Sequence, residues 1–239
     1  MNASAARAAR GAVSTTLFAV FGVGALAISP IMLAMSAPRL CQPVVRASWR
    51  LLAWLFRATG LISVEGGVGD LKGCVIAANH PSLIDVVLVT AMMPRTLYVA
   101  KHALRRNPFM AAIVRHTSLP DDERLPEAAA PYLAEGWNVL VFPEGTRSPS
   151  PGELREFRRG AAQLALRTGA PVACVGISLS RAILGKRQKP WDMGERRVAY
   201  RFRADAPTRH PRDPSRGLRP QAAELTQALR RRISALNMV

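Results

Sequence analysis

The sequence predicts an α/β fold, a mostly parallel or mixed sheet flanked by helices, behind an N-terminal hydrophobic membrane element. Three observations carry that expectation. No charged residue falls between Arg10 and Arg39. From residue 61 onward, short apolar, β-prone runs alternate with helical ones, the pattern of a sheet covered on both faces. Several of those apolar runs end in polar, reactive residues, at the strand tips where open parallel sheets gather their ligand sites. A chain of 239 residues holds one well-cored unit plus an appendage. The expected division is therefore an anchor over 1–38, a basic amphipathic helix over 39–60 and one domain over 61–239.

Residues 17–35 are nearly all apolar and long enough to cross a bilayer. Pro30 lies inside the stretch and predicts, as an alternative to a span, a break into a re-entrant pair of short helices. A rival reading takes Arg7 and Arg10 as the basic start of a secretory signal, cut near Ala34-Met35-Ser36. Basic residues flank both ends, so the positive-inside count does not orient the segment.

If residues 43–59 are helical, Arg46, Arg50 and Arg57 fall within about 40° of one another. Val44, Leu51, Leu52, Leu55 and Phe56 take the opposite side, with Trp49 and Trp54 on the flanks. This suits a helix lying in a membrane interface, cationic towards headgroups and apolar towards acyl chains. An ordinary amphipathic helix over a soluble core is the alternative.

Further on, residues 61–65, 74–78, 96–100, 138–142 and 172–178 read as strands. Residues 83–93, 108–115, 126–135 and 157–167 read as helices. Residues 197–203 add a strand, 207–220 form a Pro- and Arg-rich connector, and 221–237 read as a last helix.

With 49% hydrophobic and 21% charged residues, the composition excludes a disordered chain. A net charge of +17 calls for a polyanionic partner, either nucleic acid or an anionic membrane face. Arg230-Arg231-Arg232 offers phosphate contacts, but no recognition fold or aromatic stacking pattern accompanies it, so no specific nucleic acid is expected. Cys41, Cys74 and Cys174 are scattered, with no C-x-x-C pair and no histidine at zinc-ligand spacing, which argues against both a disulfide framework and a metal. Cys74 and Cys174, inside apolar runs, read as core residues. His102, His116 and His210 read as surface or satisfied side chains.

Three strand tips carry the chemistry. VIAA leads into Asn79-His80-Pro81-Ser82-Leu83-Ile84-Asp85, LYVA into Lys101-His102, and VLVF into Pro143-Glu144-Gly145-Thr146-Arg147-Ser148. Pro81 disfavours helix at His80 and is itself favoured at a first helical position, so the imidazole folds back towards Asp85. A carboxylate on one ring nitrogen fixes the tautomer and leaves the other to take a proton from an alcohol. Ser82-x-x-Asp85 is equally a capping-box pattern, in which Asp85 merely closes a helix start. At the third tip, Gly145 permits close backbone approach, Arg147 offers a fork suited to a phosphate, and Glu144 is an acceptor for a polyol or carrier. A triad hydrolase would need a G-x-S-x-G elbow, which is absent.

Together these stretches resemble the 1-acyl-sn-glycerol-3-phosphate (lysophosphatidate) acyltransferase family and its lysophospholipid acyltransferase relatives. The family's NHxSxxD block is matched by Asn79, His80, Ser82 and Asp85, and its FPEGTRS block at every position of 142–148. Phe157-Arg158-Arg159-Gly160-Ala161 is similar to its F-x-x-G-A helix start, and Gly169-Ala170-Pro171-Val172 to its fourth block. The resemblance implies a glycerolipid acyltransferase-like fold with catalytic His80 and Asp85, and substrate binding by Lys101, Glu144, Gly145, Thr146 and Arg147. It implies an acyl-carrier protein or coenzyme A thioester as donor, a lipid acceptor led by 1-acyl-glycerol-3-phosphate, and no metal or bound cofactor. It further implies a bacterial-type inner membrane, anionic at its surface, with the domain facing the cytoplasm.

Two departures stand out. The family's second block usually ends in an aspartate-arginine or similar pair that helps bind glycerol phosphate, whereas this chain reads Ser118-Leu119-Pro120-Asp121-Asp122-Glu123-Arg124, displacing Arg124. Cys174 stands where the fourth block often has a second proline. The Asn-His-Pro-Ser-Leu-Ile-Asp form, with Arg106-Asn107-Pro108-Phe109, is similar to accessory acyltransferases of aryl polyene pathways. An acceptor of aryl polyene or ornithine lipid type is therefore the alternative within the family.

Overall fold

A computed structural model describes residues 2–34, 38–107 and 110–238. Met35 and Ser36 of the cleavage motif, and Pro108 and Phe109 of the Arg-Asn-Pro-Phe stretch, lie outside the described residues.

Seven strands form one sheet: β1 (Ile62–Gly66), β2 (Val75–Ala78), β3 (Thr96–Ala100), β4 (Ser118–Pro120), β5 (Asn138–Val141), β6 (Val172–Leu179) and β7 (Val198–Ala204), in the order β1-β7-β6-β2-β5-β3-β4. Every pair is parallel except β6 with β7, so the sheet is mixed. The short β4 is the strand that periodicity does not reveal. It follows α4 (Ala111–Thr117) without a break, so no turn residues mark its start.

The central strands β2 and β5 are buried at every position, and alternate side chains serve two cores. Ile76, Ala78 and Leu140 face a cluster with α3 (Asp85–Met92), α4 and α2 (Pro38–Ala58). Val75, Ala77, Val139 and Val141 face one with α5 (Leu125–Ala134), α6 (Gly160–Thr168) and α7 (Leu218–Met238). All three cysteines are free and buried, and burial pushes the Cys174 thiol up to about 12.

α1 (Ala3–Ala34) is one helix of 32 residues, about 48 Å long. It runs unbroken through Pro30, so of the two alternatives for this stretch the helix is continuous and not broken at the proline. The proline stands near the C-terminal end on an exposed side, where the missing hydrogen bond touches little of the helix. α1 lies along the domain. Leu17, Phe18, Phe21 and Ile28 pack against the core and Met32 enters it, while Arg10 donates to the carbonyl oxygens of Gly60, Leu61 and Arg196. The opposite side is apolar and open, with Val20 61% and Val23 64% exposed.

α2 has three faces rather than two. Cys41, Val45, Trp49, Leu52 and Phe56 are buried in the core, Arg50 and Arg57 are exposed, and Leu40, Val44, Leu51 and Trp54 form a separate exposed apolar strip. Trp49, expected on a flank, is therefore a core residue, and Val44 and Leu51 part company with Leu52 and Phe56. The helix has to cover the sheet as well as present a surface, and periodicity alone does not separate two apolar stripes.

Candidate active site

Strand register sets the site. Ala77 of β2 pairs with Val141 of β5, so His80 and Glu144, each three residues further on, leave the sheet side by side. Tyr98 of β3 pairs with Leu140, which brings Lys101 next to Pro143. The three polar tips thus converge at one sheet edge, where parallel strands present their carboxyl ends.

His80 and Asp85 meet there. His80 Nδ1 lies 2.9 Å from Asp85 Oδ2, and the main-chain N–H of Ser82 donates to the same oxygen at 2.7 Å. Asp85 is fully buried, while the His80 side chain keeps 17% exposure. The carboxylate holds the ring with Nδ1 donating and Nε2 free to accept. Phe142 stacks on the imidazole at 4.2 Å between centroids. Burial raises the Asp85 carboxyl above the ordinary aspartate range, opposed by the hydrogen bonds from His80 and Ser82.

The local route to this contact differs from the expectation. Residues 82–84 form a turn and helix α3 starts at Asp85, so Pro81 is not its first residue. Asp85 reaches back to the Ser82 N–H, and that bond shapes the turn that swings His80 over it. The capping-type contact and the imidazole contact therefore use one carboxylate oxygen. Behind it the hydroxyls of Ser82 and Tyr200 are buried close together, and burial, with the Asp85 charge adding, pushes the Tyr200 phenol well up.

Glu144 binds the two motifs together. Its Oε1 accepts from the His80 main-chain N–H at 3.0 Å and from Ser148 Oγ at 2.7 Å, and its Oε2 from the Arg155 N–H at 3.0 Å. Only 4% exposed, the side chain turns its acceptor capacity inward rather than towards a polyol or carrier. The Ser148 N–H returns a bond to the His80 carbonyl at 2.7 Å.

Arg147 Nη1 donates to the carbonyls of Leu184 and Gly185 at 2.8 and 3.0 Å. The Leu184 carbonyl also accepts from the Leu83 N–H at 3.1 Å, so Arg147 ties its loop to the turn that carries His80. Burial lowers the affinity of this guanidinium for its proton, and the Asp85 charge works against that.

A cavity of about 320 Å³ opens beside His80. Lys101, Gly145, Thr146 and Arg147 line it together with His80, so the expected residues other than Asp85 and Glu144 share one space. Arg158 and Asp121 line it too. Both lie in segments that the sequence singled out, yet neither was assigned a role, because a surface arginine and a loop aspartate look like solvated charges until the strands are in register. Arg124 does not line it: it pairs with Asp122 at 3.2 Å and lines an adjoining cleft that shares Asp121 and Gly160 with the His80 cavity. Of the other histidines, His116 is buried, not at the surface, and burial lowers its proton affinity. Among the described residues no group of three or more His, Cys, Asp or Glu stands close enough to hold a metal ion.

A family model described as Acyltransferase matches residues 62–178, the span from β1 through most of β6 that carries all three tips. Over those residues the chain carries the domain of the acyltransferase family. Among its relatives, the 1-acyl-sn-glycerol-3-phosphate acyltransferase of Pseudomonas aeruginosa is 31% identical over 165 residues, covering 64% of this chain and 63% of that protein. The protein of the same name from Borreliella burgdorferi is 26% identical over 149 residues, 58% of this chain and 59% of the other. That of Cocos nucifera is 27% identical over 133 residues, 52% and 42%. The chain thus spans less than two thirds of the length of each of these three relatives. The crystal structure of the 1-acyl-sn-glycerophosphate acyltransferase PlsC from Thermotoga maritima has the same fold, with a TM-score of 0.66 over 98% of this chain and all of that one, at 20% identity.

Proposed function

We propose that this acyltransferase moves a fatty acyl group from a thioester, carried by acyl-carrier protein or coenzyme A, onto the hydroxyl of a lysophospholipid, with 1-acyl-glycerol-3-phosphate the leading acceptor and phosphatidate the product. The carrying observation is the His80–Asp85 contact at the wall of a cavity that Lys101, Arg147 and Arg158 also line. Nε2 of His80 takes the acceptor proton as the alkoxide oxygen attacks the thioester carbonyl. The tetrahedral intermediate collapses, the carbon–sulfur bond breaks, and the thiolate leaves with the proton that His80 received. Asp85 holds the ring tautomer and stabilises the charge that His80 gains during the step. The donor arrives activated, so neither metal nor bound cofactor is required.

The membrane attachment that fits this substrate uses the exposed apolar sides of α1 and α2, with Arg50 and Arg57 towards headgroups. An anionic bacterial inner membrane with the domain on its cytoplasmic side supplies both the lipid and the charge partner for +17. One observation favours a second acceptor class: with Arg124 paired to Asp122 outside the cavity, an aryl polyene or ornithine lipid hydroxyl needs fewer phosphate ligands. The test is purified protein supplied with both thioester donors against lysophosphatidate, other lysolipids and uncharged hydroxyl lipids. Transfer to lysophosphatidate above the others supports the reading, and transfer to uncharged acceptors alone replaces it with the second.

A further inference from the structure

A phosphate monoester brings close to two negative charges, and of the cavity cations Arg147 already gives Nη1 to the Leu184 and Gly185 carbonyls. Arg124, the second-block arginine, faces another cleft. Resting on the reading of the acceptor as an anionic lysophospholipid, we infer that Arg158, together with the N-terminus of α6, is the missing ligand for the acceptor's phosphate.

Arg158 lines the His80 cavity with Lys101 and Arg147, and its N–H donates to the Pro143 carbonyl at 2.8 Å, which fixes the residue against the third tip. Its guanidinium lies over Gly145. A Cβ added there would stand 2.8 Å from Arg158 Nε, and Gly145 has φ +63, so the turn and the arginine's position both require glycine. Among the described residues no ion pair engages Lys101, Arg147 or Arg158. Asp121 is the carboxylate facing them across the lining, which leaves an excess of positive charge for an anion.

The helix adds to this. Gly160 and Ala161, the first residues of α6, line the same cavity, and its N-cap Arg159 makes no side-chain cap. Uncapped N–H groups at a helix start favour a phosphate oxygen, and Arg158 stands two residues before the first residue of α6. A guanidinium beside helix amides gives two-point geometry that a lysine does not reproduce.

The same phosphate chemistry is available from the donor, whose carrier arm also bears phosphate, and kinetics separate the two sources. Full-length protein is assayed with lysophosphatidate and with monoacylglycerol, varying acceptor and donor in turn, for wild type, Arg158→Gln and Arg158→Lys. Losing a charged hydrogen bond predicts that Arg158→Gln raises the KM for lysophosphatidate on the order of 10- to 100-fold. The preference in kcat/KM for lysophosphatidate over monoacylglycerol should fall in step, the donor KM should hold, and Arg158→Lys should recover part of the loss. An unchanged lysophosphatidate KM, or a donor KM that rises equally, overturns the assignment of Arg158 while leaving the acceptor reading in place. A wild type that acylates only the uncharged acceptor fails the acceptor reading itself, and this inference with it. Arg158 is exposed, and matching thermal unfolding midpoints verify that the variants fold.

Discussion

The carboxylate of Glu144 accepts the main-chain N–H of His80 at 3.0 Å across 64 residues of sequence. The same oxygen accepts from Ser148 Oγ, so hydrogen bonds join the two motifs at neighbouring strand tips. The position of His80 is therefore set as much by the third tip as by its own loop.

Glu144→Gln tests this coupling. The amide keeps one acceptor oxygen but turns an NH2 group towards either the Arg155 N–H or the pair formed by His80 N–H and Ser148 Oγ. Leaving a buried donor unmatched costs about 1–3 kcal/mol. The expected outcome is a lowered unfolding midpoint and a reduced kcat, with the KM values of both substrates nearly unchanged. A rise confined to one substrate's KM would instead make Glu144 a substrate ligand.

Asp85→Asn separates a catalytic carboxylate from a merely structural one. The folded-state pKa of Asp85 is raised, chiefly by burial, so the folded protein binds that proton more tightly than the unfolded chain does. The ionised carboxylate therefore costs stability above the ordinary aspartate value of about 3.9, and the cost is relieved as pH falls from neutrality through the raised folded value. The neutral amide should keep or raise the unfolding midpoint near pH 8, an advantage over wild type that shrinks on acidification, while transfer falls by at least about 10-fold. A variant that loses stability and keeps its turnover would show that Asp85 serves only to shape the turn at Ser82.

Much of the fold and part of the site were legible in the sequence. β3 runs over the same residues that the apolar pattern marks, and β2 ends at Ala78, where the polar residues from Asn79 begin, because a strand buried on both faces favours apolar residues. The contact of His80 with Asp85 was readable because a proline follows the histidine. What was not legible depended on the third dimension. Arg158 becomes a cavity residue only because Gly145, from another segment, leaves room for its guanidinium, and Trp49 becomes a core residue only because α2 packs on α3. Glu144 had the residue type of a ligand, but besides Ser148 of its own block its partners are the main-chain N–H groups of His80 and Arg155, which the sequence does not connect to it.

Membrane attachment through the open sides of α1 and α2 predicts that charge at those positions weakens binding without unfolding the protein. Val20→Glu with Val23→Glu, both at exposed sites, should lower association with anionic vesicles at all salt concentrations. Arg50→Glu with Arg57→Glu should remove chiefly the part that salt also removes. Co-sedimentation across a salt series checks both. Equal binding by the first pair of substitutions and wild type would place the membrane surface elsewhere.

Arg147→Lys should raise the acceptor KM and also lower the unfolding midpoint, because one ammonium does not hold the Leu184 and Gly185 carbonyls and face the cavity at once. Kinetics together with thermal unfolding measure the two roles. A raised KM at unchanged stability would leave the guanidinium with substrate binding alone.

The most direct measurement is the rate of acyl transfer from a thioester donor to lysophosphatidate by full-length protein in anionic vesicles, for wild type and His80→Ala. Loss of the base predicts a fall of at least about 100-fold, with thermal unfolding midpoint and vesicle binding retained. A His80→Ala protein that keeps most of its transfer activity would contradict the assignment of His80 as the base.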